Sequence, residues 1–382
     1  MERKTFEIGH IRPPFHADSL LLRVTENCTW NRCNFCTLYK GGKFKMRSVE
    51  DVKKDIDNVK YYQNLIFRRF DGKGFDMARI MADYSALPTD EEKNCYSMVF
   101  NWIQSDGMKT VFLQDANTLA LKKEMLCEIL RHLRKTLPTL KTVACYGRAD
   151  SLIRLSTEDF KELKAAGLTM IHSGYESGCD DVLKILNKGT TREQQIESGK
   201  RIKTAGLEFN VFYMPGSGGK TLSQKNAIET ADVINQIDPE FIRIRTFVVK
   251  PSTVMWQKTQ TGEFEECSDI EKLLELKTMI EHLDGIKSYL ISDHIINLLP
   301  LLQGNIDKDK ESMLSYINGF LSLPKREQMR FQLARRMCYN VDYTNMSYLN
   351  SADMKAIDSV IDNCQSKEEW EEILRRYLRR YI

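Results

Sequence analysis

The chain has 382 residues, of which 42% are hydrophobic, and a formal net charge of +3 at pH 7. This length is enough for a large hydrophobic core and predicts one large domain accompanied by a smaller one. The near balance of acidic and basic residues gives no electrostatic case for a nucleic-acid partner. No apolar run is long enough to cross a membrane and no signal-peptide core follows Met1, so the sequence predicts a soluble, cytoplasmic protein with no membrane partner.

The first predicted elements surround a loop rich in cysteine. Residues 1–19 are predicted to be an extended lead-in because they contain two adjacent prolines. An apolar run at residues 20–24 predicts the first strand. The loop after it carries Cys28, Cys33 and Cys36, spaced C-x4-C-x2-C. Three soft ligands this close in sequence predict that all three bind one metal centre.

The kind of metal centre follows from the number of ligands. A tetrahedral zinc site and a plant-type two-iron cluster both need a fourth Cys or His, and none occurs between Cys36 and Cys95. Three ligands fit a four-iron cluster in which one iron is open to another molecule. A structural or zinc-binding role for the three cysteines stays the alternative. The other seven cysteines are scattered singly and are expected to be reduced thiols: Cys95, Cys127, Cys145, Cys179, Cys267, Cys338 and Cys364.

Strands and helices alternate after the cysteine loop. Ser48, followed by acidic residues, is typical of a helix start and predicts a helix to about residue 65, whereas residues 67–90 look irregular. Short apolar strands then alternate with helices and are predicted at residues 110–113, 142–145, 169–172, 209–214 and 241–246. Repeated pairs of this size predict parallel strands with right-handed crossovers. The predicted fold is α/β, a partial TIM-like (βα)6 barrel with its chemistry at the carboxyl ends of the strands.

The pattern changes after Pro251. Residues 265–382 show helical periodicity and no clear strand, and one of the predicted helices runs from Tyr289 to Leu302. We therefore predict an all-α C-terminal domain after the barrel. The predicted boundaries are a lead-in over residues 1–19, the barrel over 20–255 and the helical domain over 256–382.

Polar residues occur at the ends of the predicted strands, where an all-parallel core is otherwise apolar. Asp115 and Asn117 follow the second strand, and Arg148 follows the third. Glu176 follows the fourth strand between two glycines, where the backbone can approach a ligand closely. His172, earlier in that strand, is expected to be a hydrogen-bonded core residue. Further candidates to line the same pocket lie at or near later strand ends: Asn210, Tyr213 and Thr246.

Each of these polar residues also has a simpler interpretation. Asp115 and Asn117 are good helix-start residues, and Glu176 could form a surface salt bridge. Arg243 and Arg245 alternate on the sixth strand and therefore share a side of it. On the interior side they would bind a substrate anion; on the other side they would pair with acids of the covering helices.

The cysteine loop resembles that of the radical S-adenosylmethionine (radical SAM) enzymes, in which three cysteines after the first barrel strand hold a 4Fe–4S cluster. The usual spacing there is C-x3-C-x2-C, so this chain has one extra residue between Cys28 and Cys33. The resemblance covers about residues 15–255. The run from Gly167 to Gly178 looks most like the branch of oxygen-independent coproporphyrinogen oxidases and elongator-like proteins. The resemblance implies that the methionyl amine and carboxylate of SAM bind the open iron.

The resemblance also implies which residues bind SAM itself. The groups to be bound are the adenine, the methionyl amino group, the ribose hydroxyls and the methionyl carboxylate. The corresponding residues are, in that order, Phe35; Asp115 and Asn117; Glu176; and Lys188 or Arg148. Asn210 is expected to line the same pocket.

The activity that the resemblance implies is reductive cleavage of SAM, followed by hydrogen abstraction from a substrate. The implied partners are a small-molecule substrate and an electron donor such as flavodoxin or ferredoxin. Two other classes remain open, a non-catalytic metal-binding or electron-transfer protein and an RNA-modifying radical enzyme. One barrel hosts many reactions, so the C-terminal helices are expected to determine the substrate.

Overall fold

The structure, a computed structural model, describes residues 3–9, 11–337, 341–347 and 349–381. Cys338, one of the scattered cysteines, lies outside the described residues. The chain divides into two compact units. Unit 1 comprises Met1–Asn31, Gly41–Ser173 and Arg201–Phe209, and unit 2 comprises Arg32–Lys40, Gly174–Lys200 and Asn210–Ile382. The division into domains at residues 19/20 and 255/256 stays a prediction.

The described residues contain strands and helices in alternation over most of the chain. The strands are β1 Leu20–Arg23, β2 Thr25–Glu26, β3 Lys45–Met46, β4 Thr110–Gln114, β5 Thr142–Tyr146, β6 Met170–Glu176, β7 Glu208–Tyr213, β8 Phe241–Ile244, β9 Tyr289–Ile291 and β10 Gln303–Asn305. The first helices are α1 Val49–Phe67, α2 Met77–Ala86, α3 Asp90–Asp106, α4 Lys123–Thr136, α5 Ala149–Leu152, α6 Thr157–Ala166, α7 Asp180–Ile185 and α8 Arg192–Thr204. The later ones are α9 Gly219–Ile237, α10 Val254–Gln260, α11 Asp269–His282, α12 Ile306–Leu321, α13 Lys325–Arg336, α14 Ser351–Asn363 and α15 Lys367–Leu378.

The sheet of unit 1 is built from parallel strands in the order β1, β4, β5, β6. The register places Leu21, Phe112, Ala144 and Met170 side by side, and these four residues form one buried apolar row. Side chains two positions further along a strand share its face, so His172 lies on the same face as this row. Apolar side chains of adjacent strands pack together here and hold the strand ends that follow them in fixed positions.

The helix start predicted at Ser48 is confirmed by its cap, because the Ser48 hydroxyl accepts a hydrogen bond from the Asp51 amide at the start of α1. Ser156 and Asp159 likewise form a capping box at the start of α6. The prediction that residues 67–90 are irregular is wrong, because α2 lies within them. The Asp76 side chain caps that helix by accepting a hydrogen bond from the Arg79 amide. The helix is short and its sequence has no clear periodicity, so it was not predicted.

The sheet of unit 2 has β7, β8 and β9 in parallel and β10 antiparallel to β9. Together the two units contain all six predicted strands, as β1 and β4 to β8, which confirms the α/β fold class. The C-terminal portion is helical, as predicted, but it is not all-α, because it also contains the strands β9 and β10. The helix predicted from Tyr289 to Leu302 is wrong. Residues 289–291 are instead the strand β9, in which Leu290 is fully buried in register with Ile242 of β8.

The chain has no described helix of the length and apolar composition needed to span a membrane.

Candidate cofactor site

The first part of the cysteine loop lies in unit 1 and is closed by a small hairpin. β2 pairs with β3 in antiparallel fashion, with Thr25 opposite Met46. Inside this hairpin the side-chain amide of Asn27 donates to the Lys43 carbonyl oxygen at 2.8 Å, and that of Asn31 donates to the Gly42 carbonyl oxygen at 3.0 Å. Both asparagines have positive φ, 66° and 49°, which Asn adopts more readily than most residues. Cys28, half-buried between them, is therefore carried on an ordered turn.

The second part of the cysteine loop lies in unit 2 and is anchored by Asn34. Its backbone amide donates to the Leu186 carbonyl oxygen at 2.8 Å, and its side-chain amide donates to the Ile185 carbonyl oxygen at 2.7 Å. Phe35 packs edge-on against Phe247, with ring centroids 6.2 Å apart, beside an apolar cluster of unit 2. Cys33, on one side of this anchor, is buried, and Cys36, on the other, is half-buried.

The three loop cysteines fit an iron–sulfur cluster by their chemistry. The described cysteines are all free thiols, so Cys28, Cys33 and Cys36 are available as ligands. Over the described ranges no three His, Cys, Asp or Glu side chains are gathered at metal-binding distance. The donor set and the two anchored halves of the loop therefore support the assignment of a cluster. The positions of the three sulfur atoms add no support of their own.

Asp115 is fully buried in unit 1 and holds the start of the cysteine loop. Its Oδ2 accepts hydrogen bonds from Arg23, at 3.0 Å from Nε and 2.8 Å from Nη2, and from the Asn27 amide at 3.1 Å. Its Oδ1 is buried with no hydrogen-bond partner. A buried carboxylate oxygen normally has a donor, so Oδ1 has unused acceptor capacity. The link to Asn27, beside Cys28, is a positioning contact that the sequence did not reveal.

Asn117 and Arg148 meet in unit 1 next to the same turn. The Asn117 side-chain amide donates to the Thr29 hydroxyl at 2.9 Å, and its carbonyl oxygen accepts from the Arg148 backbone amide at 3.1 Å. The Arg148 guanidinium lies 5.8 Å from the ring centroid of Trp30 and donates to Asp150 at 3.0 Å. The predicted residues of unit 1 are thus brought together around Cys28 and its neighbours Thr29 and Trp30.

Glu176 and Lys188, both in unit 2, form a nearly buried ion pair. The Lys188 ammonium donates to Glu176 Oε1 at 3.0 Å, and their side chains are 8% and 13% exposed. Gly174 makes room for this pair, because a Cβ there would lie 2.4 Å from Glu176 Oε1. The surface salt bridge that was the simpler interpretation of Glu176 is wrong, since neither partner is exposed. Lys188 thus holds the carboxylate of Glu176, and its role at a methionyl carboxylate stays a prediction.

A cavity in unit 2 collects part of the predicted site. Phe35 and Cys36 of the cysteine loop and Glu176 of β6 all line it. Its remaining wall includes Met214, Val248, Thr246, Arg245, Lys250, Ile296, Leu378 and Tyr381. The cavity therefore places an aromatic ring, a thiol and a carboxylate where one ligand can contact all three.

The remaining strand-end residues of unit 2 have other partners. Asn210 lies buried on β7 in register with Phe241, and the Tyr213 hydroxyl donates to Glu275 at 2.7 Å. Arg243 donates to both carboxylate oxygens of Asp293, at 3.0 and 2.7 Å. Arg243 thus pairs with an acid in the segment between β9 and β10, which is neither a substrate anion nor an acid of a covering helix.

Glu275 on α11 is a buried acid that sequence reasoning missed. It accepts hydrogen bonds from Tyr213, from the Gly216 amide at 3.0 Å and from Asn226 at 2.7 Å. Burial raises its pKa. The carboxyl group thus ties the end of β7 and the turn after it to two helices. An acidic residue in a helix is usually exposed, so nothing in the sequence indicated this role.

Comparisons with known proteins find relatives both by sequence and by structure. No family model matches the sequence. The heme chaperone HemW of Bacillus subtilis is 25% identical over 181 residues, which are 46% of this chain and 47% of HemW. A tRNA uridine(34) acetyltransferase of Methanocaldococcus infernus is 22% identical over 119 residues, 31% of this chain and 22% of that protein. The chain thus spans less than half the length of the curated relatives it matches.

Among solved structures, the cobalamin-dependent S-adenosylmethionine radical enzyme OxsB is similar with a TM-score of 0.45 and 14% identity, over 94% of this chain and 54% of OxsB. Radical SAM relatives use a 4Fe–4S cluster and S-adenosylmethionine. The chain is thus similar to members of the radical SAM superfamily, including its HemW-like and elongator-like branches, and this similarity agrees with the pattern of the cysteine loop.

Proposed function

We propose that the chain reductively cleaves S-adenosylmethionine and abstracts hydrogen from a small-molecule substrate, using a 4Fe–4S cluster held by Cys28, Cys33 and Cys36. The observation that carries the proposal is the unit 2 cavity, in which Cys36 lies beside Phe35 and Glu176. When bound, the reduced cluster supplies the electron that breaks a sulfur–carbon bond of the cofactor, giving methionine and a 5′-deoxyadenosyl radical. The protein supplies ligands, orientation and exclusion of water.

In unit 2 the proposed task of Glu176 is to bind the ribose hydroxyls. A carboxylate offers several acceptor sites, so Glu176 can keep its bond to Lys188 and still accept from a diol. Lys188 holds the carboxylate in one orientation, which reduces the entropy lost when the cofactor binds. Phe35 and Met214 provide the apolar wall against which the adenine would pack.

In unit 1 the proposed task of Asp115 and Asn117 is to fix the turn that carries Cys28. Asp115 does so through the Asn27 amide, and Asn117 does so through the Thr29 hydroxyl. The unpartnered Oδ1 of Asp115 is the proposed acceptor for the methionyl amino group. Arg148, which lies over Trp30 and donates to Asp150, is the proposed partner of the methionyl carboxylate. We further propose that a flavodoxin or ferredoxin donates the electron to the protein, and that the protein is cytoplasmic.

Anaerobic reconstitution tests this function directly. Protein loaded with iron and sulfide and reduced with dithionite is expected to convert S-adenosylmethionine into 5′-deoxyadenosine, measured by liquid chromatography. Changing Cys33 to Ala is expected to abolish the product, because a ligand of the cluster is lost.

The matched control is Cys364→Ala, which removes a half-buried thiol in the C-terminal segment and is expected to leave the product yield unchanged. A colourless, zinc-containing protein that makes no 5′-deoxyadenosine would instead support the metal-binding alternative.

RNA modification is the second candidate, favoured by the similarity to a tRNA uridine(34) acetyltransferase. It predicts binding of transfer RNA that weakens steeply with salt, as measured by filter binding. A protein that retains no RNA at low salt would exclude this candidate.

A further inference from the structure

Glu275 is the centre of a buried hydrogen-bond network in unit 2 to which the proposed function gives no task. Its Oε1 accepts three hydrogen bonds, from the Tyr213 hydroxyl at 2.7 Å, the Gly216 amide at 3.0 Å and the Asn226 side-chain amide at 2.7 Å. Its Oε2 accepts from the Ser223 hydroxyl. The Glu275 side chain is almost fully buried, so these protein donors replace the water that a carboxylate otherwise binds.

Two of these donors flank Met214, which lines the unit 2 cavity. Tyr213 ends β7 and Gly216 lies two residues after Met214, so Glu275 is bonded to the chain on both sides of Met214. The turn is closed by the Ser217 amide, which donates to the Met214 carbonyl oxygen at 3.1 Å. Gly216 has a φ of 88°, a left-handed conformation that glycine adopts without strain. The path of this turn, and with it the place of Met214, therefore depends on Glu275.

Asn226 on α9 connects Glu275 to a second turn, the one that follows Glu176. The Asn226 Nδ2 donates to Glu275, and the other end of the same amide group, Oδ1, accepts from the Ser177 hydroxyl. The Ser177 oxygen in turn accepts from the Cys179 amide at 2.9 Å. Asn226 and Ser177 are both fully buried. The bond to Glu275 therefore determines which end of the Asn226 amide meets Ser177.

Glu176 needs this support because of its backbone conformation. Its φ is 64°, in the left-handed region that residues with a side chain rarely adopt. The Glu176 carbonyl oxygen accepts from the Met214 amide at 2.9 Å, and the next residue, Ser177, is held by Asn226. The direction of the Glu176 carboxylate follows from that backbone conformation. The two turns are thus bonded to each other and also, through separate contacts, to the one buried carboxylate of Glu275.

We propose that Glu275 is a positioning residue of the unit 2 cavity, which sets Met214 and the Glu176 carboxylate in the orientation that binds a ligand. Glu275 is not one of the residues that line the cavity, so it acts through the two turns. The role requires acceptor oxygens, because all four contacts of the carboxylate come from donors. That the ligand is S-adenosylmethionine rests on the proposed function; the placement of Met214 by Glu275 does not.

Two variants of Glu275 test the placement of Met214 without any cofactor. Glu275→Leu removes the acceptor, so the Gly216 and Asn226 amides lose their partner. In Glu275→Gln the carbonyl oxygen takes the place of Oε1 and the NH2 group donates to the Ser223 oxygen, so the other three bonds are kept. In NMR of methyl-labelled methionine, the Met214 signal is identified as the one lost in Met214→Leu. We expect it to be displaced in Glu275→Leu and to return to its wild-type position in Glu275→Gln.

Binding of S-adenosylmethionine to anaerobically reconstituted protein, measured by equilibrium dialysis, tests the effect on the cavity. Glu275→Leu is expected to weaken binding at least about 10-fold, the loss of one well-oriented hydrogen bond to a charged group. Glu275→Gln is expected to bind like the wild type, because it restores the acceptor that the two turns need.

Ser177→Ala is a smaller change, and its result decides the question if Glu275→Leu does not fold. It removes the contact between Asn226 and the turn after Glu176, and it is expected to weaken binding about 10-fold. In a protein that already carries Glu176→Ala it should cause no further loss, because it acts through Glu176. A merely structural role of Ser177 would instead add its own loss to that of Glu176→Ala.

Ser288→Ala is the matched control. Ser288 is as buried as Ser177 and donates to the Asp238 carboxylate at 3.2 Å, outside both turns, so binding should not change. An unchanged Met214 signal in Glu275→Leu, or wild-type binding by Ser177→Ala, would overturn the inference. If the wild type itself binds no S-adenosylmethionine, the proposed function fails, whereas a displaced Met214 signal in Glu275→Leu still supports the positioning role.

Discussion

Replacing Arg336 by Met is expected to lower the free energy of unfolding by about 3–5 kcal/mol, because it leaves a buried charge without its partner. Arg336 on α13 donates to both carboxylate oxygens of Asp269 on α11, at 2.9 and 2.7 Å. The two side chains are 1% and 2% exposed. Met fills a similar volume but cannot neutralise the Asp269 carboxylate. Denaturation in guanidinium chloride, followed by circular dichroism, measures the loss.

At acid pH, the wild type and Arg336→Met should differ less in their free energy of unfolding. Burial by itself would raise the pKa of Asp269, but the Arg336 charge and its hydrogen bonds hold that pKa below the ordinary value. The wild type therefore loses the stabilisation from this pair as the pH falls below about 4, where an unfolded Asp takes up its proton. In the variant the buried carboxyl is protonated at higher pH, which relieves its unpaired charge. A difference that does not change with pH would contradict this account of the pair.

Arg326→Met, on the same helix, is the matched control. Arg326 pairs with Asp358 and Asp362 at the surface, and its side chain is 44% exposed. Exposed ion pairs contribute little to stability, so the midpoint of unfolding should hardly move. If the two variants lost the same free energy of unfolding, burial of the Arg336–Asp269 pair would not increase its contribution to stability.

The fold was predictable where a strand is long enough to show its own pattern. The six strands of the barrel pattern are apolar runs at regular spacing, and each occurs in the structure. β9 has three residues, Tyr289–Ile291, and such a run has no periodicity that separates strand from helix. Its conformation is decided by pairing with β8, which lies about fifty residues earlier in the chain. A contact at that distance leaves no local signal.

The site was predictable in its residue types but not in its pairings. Strand-end position and flanking glycines indicated Asp115 and Glu176 because backbone and polar groups are exposed at such ends. Asp115 pairs with Arg23, 92 residues away, and the same carboxylate oxygen also accepts from the Asn27 amide of the loop. Lys188 pairs with Glu176, a contact that the sequence did not indicate. Which charges neutralise each other depends on tertiary packing, and the sequence does not contain that information locally.

Replacing Gly174 by Ala is expected to weaken binding of S-adenosylmethionine by roughly 10- to 100-fold, the loss of one hydrogen bond to a charged group. The new methyl would lie 2.4 Å from Glu176 Oε1 and 3.3 Å from Lys188 Nζ, so the carboxylate must move. Because that oxygen is the far end of a flexible side chain, the shift costs little stability. Equilibrium dialysis of anaerobically reconstituted protein with labelled cofactor measures the affinity, and thermal unfolding measures the stability.

Gly74→Ala is the matched control, since no atom lies within 4 Å of its new methyl and its backbone is not left-handed. It tests whether a Gly-to-Ala change by itself alters binding, and it should not. Glu176→Ala should weaken binding as much as Gly174→Ala, and the two changes combined should weaken it no further, because both remove the same contact. If the Glu176 carboxylate is displaced in Gly174→Ala and the variant still binds the cofactor as tightly as the wild type, Glu176 does not bind the ribose. The ion pair of Glu176 with Lys188 would then serve the packing of unit 2 alone.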